Sequence, residues 1–517
     1  MLRESVRLSR SARLGLTFIA TSQAGLALAQ EPAFVFEGPA GAGHGASVAF
    51  AGDVNSDGYV DVIVGAPDFG TLGCAIVQSG ADGSTLHTFL GVDDGGRFGF
   101  SVAGAGDVDN DGHADLIVGA PLGTDLQERG RSCVFSGQTG AVLHNIVGQA
   151  PGDHFGAGVA GVGDVDGDHC DDFAVSAPRA DGPGAVDGGR VTVFSGLTGQ
   201  PLYEADGVGL LGATLAAGGD LDGDGFGDWF AGAPAALGGA GCIQVHSGLS
   251  GAVLYTINGT DPDAGLGTAI GSAGDVNGDG FADIIAGLPG HDGPNGVDSG
   301  QAVVYHGPTG NPLHTFPGSA AGIRFGEAVD GAGDFDGDGN DEVLIGASAV
   351  PSALGQPAGR VYVCSVATGL LLWSCTGEGG AFGVAIAGGA DVHAGGSPDV
   401  LVGAPGMASG AGRSYLYTPW DLHLALLPEP VAGTDVTFTW RGGSAGADSC
   451  LLINAYSEKF GLQALSAAFL DPTGRADLTV LAPANLIGVP MNFVAFSVAD
   501  SGIPFQVSNT ISTTVTP

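Results

Sequence analysis

The residues best equipped for chemistry are acids that recur at one spacing. Six segments follow or closely approach D-x-[DN]-x-D-G-x-x-[DE]. The first offers Asp53, Asn55, Asp57 and Asp61, and the second Asp107, Asp109, Asp111 and Asp115. The third offers Asp164, Asp166, Asp168 and Asp172, and the fourth Asp220, Asp222, Asp224 and Asp228. The fifth offers Asp275, Asn277, Asp279 and Asp283, and the sixth Asp334, Asp336, Asp338 and Glu342. Oxygens at positions 1, 3 and 5 can turn inward around one hard cation, and a Gly at position 6 permits the sharp turn. A main-chain carbonyl at position 7 (Tyr59, His113, Cys170, Phe226, Phe281 and Asn340 in turn) and the acid at position 9 complete an oxygen cage. Carboxylates without imidazole or thiolate suit Ca²⁺ rather than Zn²⁺, and Mg²⁺ demands a stricter octahedron. The expectation is up to six bound Ca²⁺ ions.

A single such loop reads equally well as a solvated Asp-Gly hairpin turn. Six of them do not, because clustered carboxylates repel without a counter-ion. An EF-hand is excluded: it needs Glu at position 12 between helices, and Val64 and Val118 stand there instead. His169 replaces the position-6 Gly of the third loop, which weakens that site. A seventh segment keeps Asp391 and Asp399 but carries His393, Gly395 and Ser397 between them. No metal is expected there.

The elements that must hold these loops follow from their period. The first acids of the seven segments lie 54 to 59 residues apart. One unit is legible over 98–147. It runs Phe98-Gly99, a small-residue strand to Gly106, the acidic loop, Leu116-Ile-Val118, the turn Gly119-Ala120-Pro121, Cys133-Val-Phe135, the tight turn Ser136-Gly-Gln-Thr-Gly140, and a fourth strand to Val147. Four antiparallel strands repeated seven times make a β-propeller. Solenoid repeats are usually shorter. A bulky apolar residue followed by Gly recurs at Phe98, Phe155, Leu211, Leu266, Phe325 and Phe382, as suits a plug between blades. The last unit shows strands near 382–390, 400–402 and 413–417 but no clear fourth. Ala33-Phe-Val-Phe-Glu-Gly38 resembles fourth strands such as Leu86-His-Thr-Phe-Leu-Gly91, so it is expected to complete the last blade and leave no open edge.

These units resemble FG-GAP repeats, the repeats of the integrin α-subunit head. The likeness rests on Phe-Gly, the acidic loop, and Gly-Ala-Pro at 65–67, 119–121, 232–234 and 403–405, with variants at 176–178, 287–289 and 346–348. It covers about three quarters of the chain and implies a seven-bladed ring. It also implies partner binding on the face opposite the acidic loops.

Composition sets the outer limits. The 517 residues include 97 Gly, only 15 Lys plus Arg, and 55 Asp plus Glu, for a formal charge of −40. Such a chain repels nucleic acid, whose binders must neutralise phosphates. Of the acids, 22 sit at the ligand positions above. Six Ca²⁺ ions would offset about a third of the net charge.

Residues 1–29 read as an export signal. Arg3, Arg7, Arg10 and Arg13 precede an apolar stretch and the cleavage site Ala27-Leu28-Ala29. No later run is long enough to span a bilayer. A secreted or cell-surface location is expected, with a periplasmic one as the alternative. Residues 30–420 form the expected propeller and 421–517 a small Ig-like β-sandwich of about seven strands. The seven cysteines include no CxxC, and Cys74 and Cys242 share a repeat position, which argues for buried strands rather than a disulfide framework. Cys364 and Cys375 could pair across one hairpin.

No nucleophile, P-loop, HExxH or paired-carboxylate motif stands out. His87, His144 and His314 share one repeat position with Tyr203, Tyr255 and Trp373, so they form a structural feature of the outer strand. The longest loops are 179–189, 290–300 and 349–359, on the face opposite the acidic loops. There Arg129, Arg179, Asp181, His291 and Asp292 are candidate contacts. The reading of function is a non-enzymatic, calcium-stabilised binding or adhesion module for a protein or glycan ligand. The alternative is an extracellular hydrolase or lyase, or an accessory domain of one, acting on glycans or phosphoesters. Nothing in the sequence sets the oligomeric state.

Overall fold

The computed structural model describes residues 32–418 except 93–94, 123–128, 183–184, 353–356 and 394–395, together with the backbone of six strands beyond residue 434. The export-signal reading of 1–29 lies outside the described residues.

Seven four-stranded antiparallel sheets form a seven-bladed β-propeller. Blade one is typical: an inner strand Ser47–Gly52, then Asp61–Ala66, Cys74–Gln78 and an outer Thr85–Leu90. The inner strands consist largely of Gly, Ala, Ser and Val, so neighbouring blades can approach near the axis. The second strands carry the core, and every residue of Asp61–Ala66, Asp115–Ala120 and their five counterparts is buried. Each inner strand ends in a register shift before the acidic loop, such as that between Gly104 and Gly106. Gly106 sits at φ +78°, and its left-handed turn swings the chain into the loop.

The last blade comprises Ala385–Ala390, Asp399–Ala404 and Arg413–Tyr417. Its fourth strand is Phe34–Glu37, paired Phe34↔Leu416 through Glu37↔Arg413. Phe36 is buried in the seam between blades seven and one, and Arg413 Nη2 donates to Glu37 Oε1 at 2.5 Å.

The Phe-Gly and Gly-Ala-Pro signatures turn out to be two halves of one contact. Phe98 is buried in a cluster that spans blades one and two, as a plug should be. A methyl group on Gly65, the Gly of Gly-Ala-Pro in blade one, would lie 2.0 Å from the carbonyl oxygen of Gly99 in blade two. The same holds for Gly119 on Gly156, Gly232 on Gly267, Gly287 on Gly326, Gly346 on Gly383 and Gly403 on Gly45. Gly-Ala is therefore the end of a buried strand, not a turn as the sequence suggests. The close approach of the next blade, rather than chain reversal, demands the Gly. Each buried Phe or Leu plug contributes about 2–3 kcal/mol.

The recurring aromatic position of the outer strand also joins blades. His87 Nε2 lies 2.6 Å from the carbonyl oxygen of Gly137, and His144 Nε2 2.5 Å from that of Gly196. The Tyr203 hydroxyl donates to Gly248 O at 2.7 Å, and that of Tyr255 to Gly307 O. Each acceptor lies in the turn between the third and fourth strands of the following blade. These side chains are latches around the ring's outer wall.

Cys74, Cys133, Cys170, Cys242, Cys364 and Cys375 are buried and stand outside any disulfide. Cys364 faces Leu371 and Cys375 faces Val361, so the hairpin holds no disulfide between them. Burial pushes Cys74 up to about 11 and Cys364 up to about 12, which leaves both inert as thiolates.

Beyond the ring, Asp435–Arg441 pairs with Arg475–Leu481. A second sheet runs Leu462–Phe469, Cys450–Ser457, Pro490–Ser497, Gln506–Thr514. Sequence reading did not single out Leu462–Phe469, whose Ala and Ser content gives little β signal.

Candidate metal centres in the acidic loops

Each acidic loop links an inner strand to the second strand of its blade, and its own backbone folds onto its first carboxylate. In the second loop Asp111 N–H donates to Asp107 Oδ1 and Gly112 N–H to Asp107 Oδ2, both at 2.9 Å. His113 N–H donates to Asp111 Oδ1 at 2.9 Å. Tyr59, Cys170, Phe226, Phe281 and Asn340 repeat that last bond to Asp57, Asp168, Asp224, Asp279 and Asp338. The position-7 residues are thus held in place by their N–H groups.

The acid at position 9 is the buried end of the site. Asp61, Asp115, Asp172, Asp228, Asp283 and Glu342 are all fully buried. Asp115 accepts Val108 N–H at 2.8 Å through Oδ2 and Gly137 N–H at 2.9 Å through Oδ1. Burial outweighs these N–H bonds. It pushes the five Asp carboxyls up to about 6 and Glu342 up to about 8.

Carboxylate oxygens of positions 1, 3 and 9 gather within 4.8 Å of one another in four loops: Asp107, Asp109 and Asp115; Asp164, Asp166 and Asp172; Asp220, Asp222 and Asp228; Asp334, Asp336 and Glu342. At that separation each charged pair repels by about 3 kcal/mol at an effective dielectric of about 20, and by about 1 kcal/mol in bulk water. A shared cation removes the penalty, and the all-oxygen donor set fits Ca²⁺. Position 5 lies outside this trio, with Asp57, Asp111, Asp168, Asp224, Asp279 and Asp338 each turned toward the N–H of position 7.

The first and fifth loops gather fewer carboxylates because Asn55 and Asn277 hold position 3. Asn277 Nδ2 donates to Asp283 Oδ2 at 2.9 Å. In the third loop His169 adopts φ +72°, the conformation a Gly would take, and donates its N–H to Asp164 Oδ2 at 3.0 Å. The loop therefore keeps its fold, and His169 weakens it less than the sequence suggests. In the seventh, His393 Nδ1 lies 3.5 Å from Asp399 Oδ2, and Gly396 N–H donates to Asp391 Oδ2 at 2.8 Å.

Two further acids escaped sequence reasoning. Asp171 Oδ2 accepts Asp107 N–H from the neighbouring loop, and Asp341 Oδ2 accepts Asp275 N–H, both at 2.8 Å. Adjacent loops are thereby tied together. The available signal was an acid at position 8, where the other loops have Val60, Ala114, Gly227 and Ala282.

The other candidates lie at the opposite strand ends. Asp181 Oδ1 accepts Asp187 N–H at 3.1 Å, and Asp292 Oδ1 accepts Asp298 N–H at 2.9 Å. Both acids thus brace their own loops, which share the pattern Asp-Gly-Pro-x-x-Val-Asp and hold Val186 83% and Val297 65% exposed. Arg179 N–H donates to Asp153 O at 3.2 Å. His291 Nδ1 lies 2.5 Å from Asp261 Oδ2. Arg129 is half-buried, just before the strand Arg131–Phe135.

Comparison with known proteins finds repeats and relatives similar to parts of this chain. The FG-GAP repeat model matches residues 44–85, 98–143, 155–194, 267–305 and 325–364. Integrin alpha-5 of Xenopus laevis is 33% identical over 210 residues, 37% of this chain and 20% of its own length. Integrin alpha-V of Gallus gallus is 29% identical over 227 residues, 41% of this chain and 22% of its own. The chain spans about a fifth of the length of these curated relatives. Among solved structures, the Dos1 propeller has 12% identity and a TM-score of 0.44, and covers 75% of this chain and 95% of its own.

Proposed function

From a chain that carries FG-GAP repeats and is integrin-α-like, we propose an exported, calcium-stabilised binding or adhesion module. It presents the loops opposite the acidic hairpins to a protein or glycan ligand. The observation that carries the calcium part is the set of six fully buried position-9 carboxylates, four of which are drawn up against two further acids of their own loop. The ligands would be the side chains at positions 1, 3, 5 and 9 and the carbonyl at position 7 of each of six loops. The ions act as structural staples: each binds only the folded hairpin and stabilises it by mass action. The binding part is supported by likeness to integrin α-subunits and by the braced loops with exposed valine tips on blades three and five. No helix among the described residues is long and apolar enough to cross a membrane.

Chelation tests the calcium reading. With EGTA the melting temperature should fall by about 10 °C or more. Six sites, each contributing about 1–3 kcal/mol at [Ca²⁺] well above Kd, imply a shift of that size. An unchanged melt would sink the proposal. A hydrolytic role has one supporting observation, the close His291–Asp261 pair on the long-loop face. Turnover of glycans or phosphoesters that is lost in His291→Ala would favour it over binding alone.

A further inference from the structure

Resting on the calcium reading above, we infer that the sixth loop is the tightest of the cation sites. A paired change inside its own blade frees a second carboxylate oxygen for the ion.

Blades one to five share one arrangement. In blades one to five, position 9 is Asp, and the turn between the third and fourth strands has Gly at one fixed place: Gly80, Gly137, Gly196, Gly248 and Gly307. The N–H of that Gly donates to Oδ1 of the position-9 Asp at 2.8–3.0 Å in all five. One oxygen of each buried carboxylate is thereby engaged by the turn. The Gly is obligatory for this approach, because a Cβ there would lie 1.8–2.1 Å from the carbonyl oxygen of the residue at position 8.

Blade six differs at both places at once. Val366 stands where the others have Gly, and Glu342 where the others have Asp. Val366 packs against the cluster that contains Val276 and Cys364. A branched side chain cannot occupy the space the Gly leaves, so the turn must stand further off. The extra methylene of Glu342 compensates for part of that gap. Its Oε2 accepts Phe335 N–H at 2.8 Å and Asp336 N–H at 3.3 Å. Its Oε1 is buried with no hydrogen-bond partner. Asp334 Oδ1 is in the same condition, whereas in the other five loops Oδ1 of the first Asp accepts the N–H of position 5.

These two are the only carboxylate oxygens in that state among the described residues, and both belong to one acidic trio. A buried carboxylate oxygen without a donor is costly. A divalent cation is the partner that satisfies both together. With four carboxylates and two oxygens not shared with backbone donors, the sixth site offers Ca²⁺ more charge than the Asn-containing first and fifth.

The test uses the full chain stripped with chelator. Ca²⁺ is titrated by calorimetry, and retained ions are counted by native mass spectrometry at buffered free Ca²⁺. Glu342→Gln should weaken the tightest class of site by at least about tenfold, and the ion retained at the lowest free Ca²⁺ should be lost. The double change Glu342→Asp with Val366→Gly copies the arrangement of five other blades, so it tests the idea even where Glu342→Gln folds poorly. It should keep every ion while the tightest class merges with the rest. Asp283→Asn in the fifth loop should remove a weaker ion only. A tightest class that survives both Glu342 variants, or disappears with Asp283→Asn, would overturn the inference. A wild-type chain that takes up no Ca²⁺ overturns instead the reading on which it rests.

Discussion

His44 shows how much one residue can depart from its repeat. It holds in the first unit the plug position that Phe98, Phe155 and Phe325 hold elsewhere, and it is fully buried. Nε2 lies 3.1 Å from Ser414 Oγ in the last blade, while Nδ1 has no partner. Burial lowers its pKa from 6.5 to about 4. The folded ring thus holds a neutral imidazole, whereas the unfolded chain takes up a proton near 6.5. Between those values the unfolded state binds more protons, so stability is complete above pH 6.5 and is lost as the pH falls toward 4. The full span is worth about 3 kcal/mol. Wild type and His44→Phe share every other titrating group, so the gap between their melting temperatures isolates this one. The wild type should lose ground to the variant between pH 7 and pH 4, and parallel profiles would refute the argument. The sequence marks His44 only by its place before Gly45. It lacks the bulky apolar residue that made the other six plugs visible.

At the scale of the element, the outer-strand latches can be weighed. His87 stacks on Phe89 and reaches Gly137 O in the next blade. His87→Phe keeps a ring there and removes one hydrogen bond, so it should cost about 1 kcal/mol. Gly140→Ala should cost more, about 1–3 kcal/mol. It places a methyl 2.9 Å from His87 Nδ1 at a position with φ +69°. Urea midpoints with an unchanged m-value measure both, and equal losses would argue against the latch geometry.

Elements were read from the sequence most accurately where the repeat itself carried the information. Seven units, the acidic loops and the donated strand Phe34–Glu37 are all written as period and pattern. What stayed hidden depends on contacts between units. Gly-Ala-Pro looks like a turn until Gly99 O is seen against Gly65. Glu342 looks like a conservative Asp replacement until Val366 is seen beside it. The tie from Asp171 to Asp107 spans 64 residues, and no local pattern announces it.

For the whole molecule, the question is where a charge of −40 does its damage. The 22 ligand acids lie at one end of the blades, and ties such as Asp341 to Asp275 bring neighbouring loops into contact. Repulsion thus acts on two lengths. Within four of the loops the carboxylate oxygens of three acids stand within 4.8 Å of one another, well inside the Debye length of about 10 Å at 0.1 M salt, so simple salt barely screens them. Acids more than a Debye length apart around the ring are screened effectively. Bound Ca²⁺ would cancel both. In EGTA, raising NaCl from about 0.05 M to about 0.5 M should therefore recover part of the lost melting temperature but not all of it. With Ca²⁺ present, the same salt step should change little. Full recovery by NaCl would mean that the penalty is long-range and that the loops need no specific ion. A melting temperature in EGTA that ignores salt would mean that it lies wholly inside the loops.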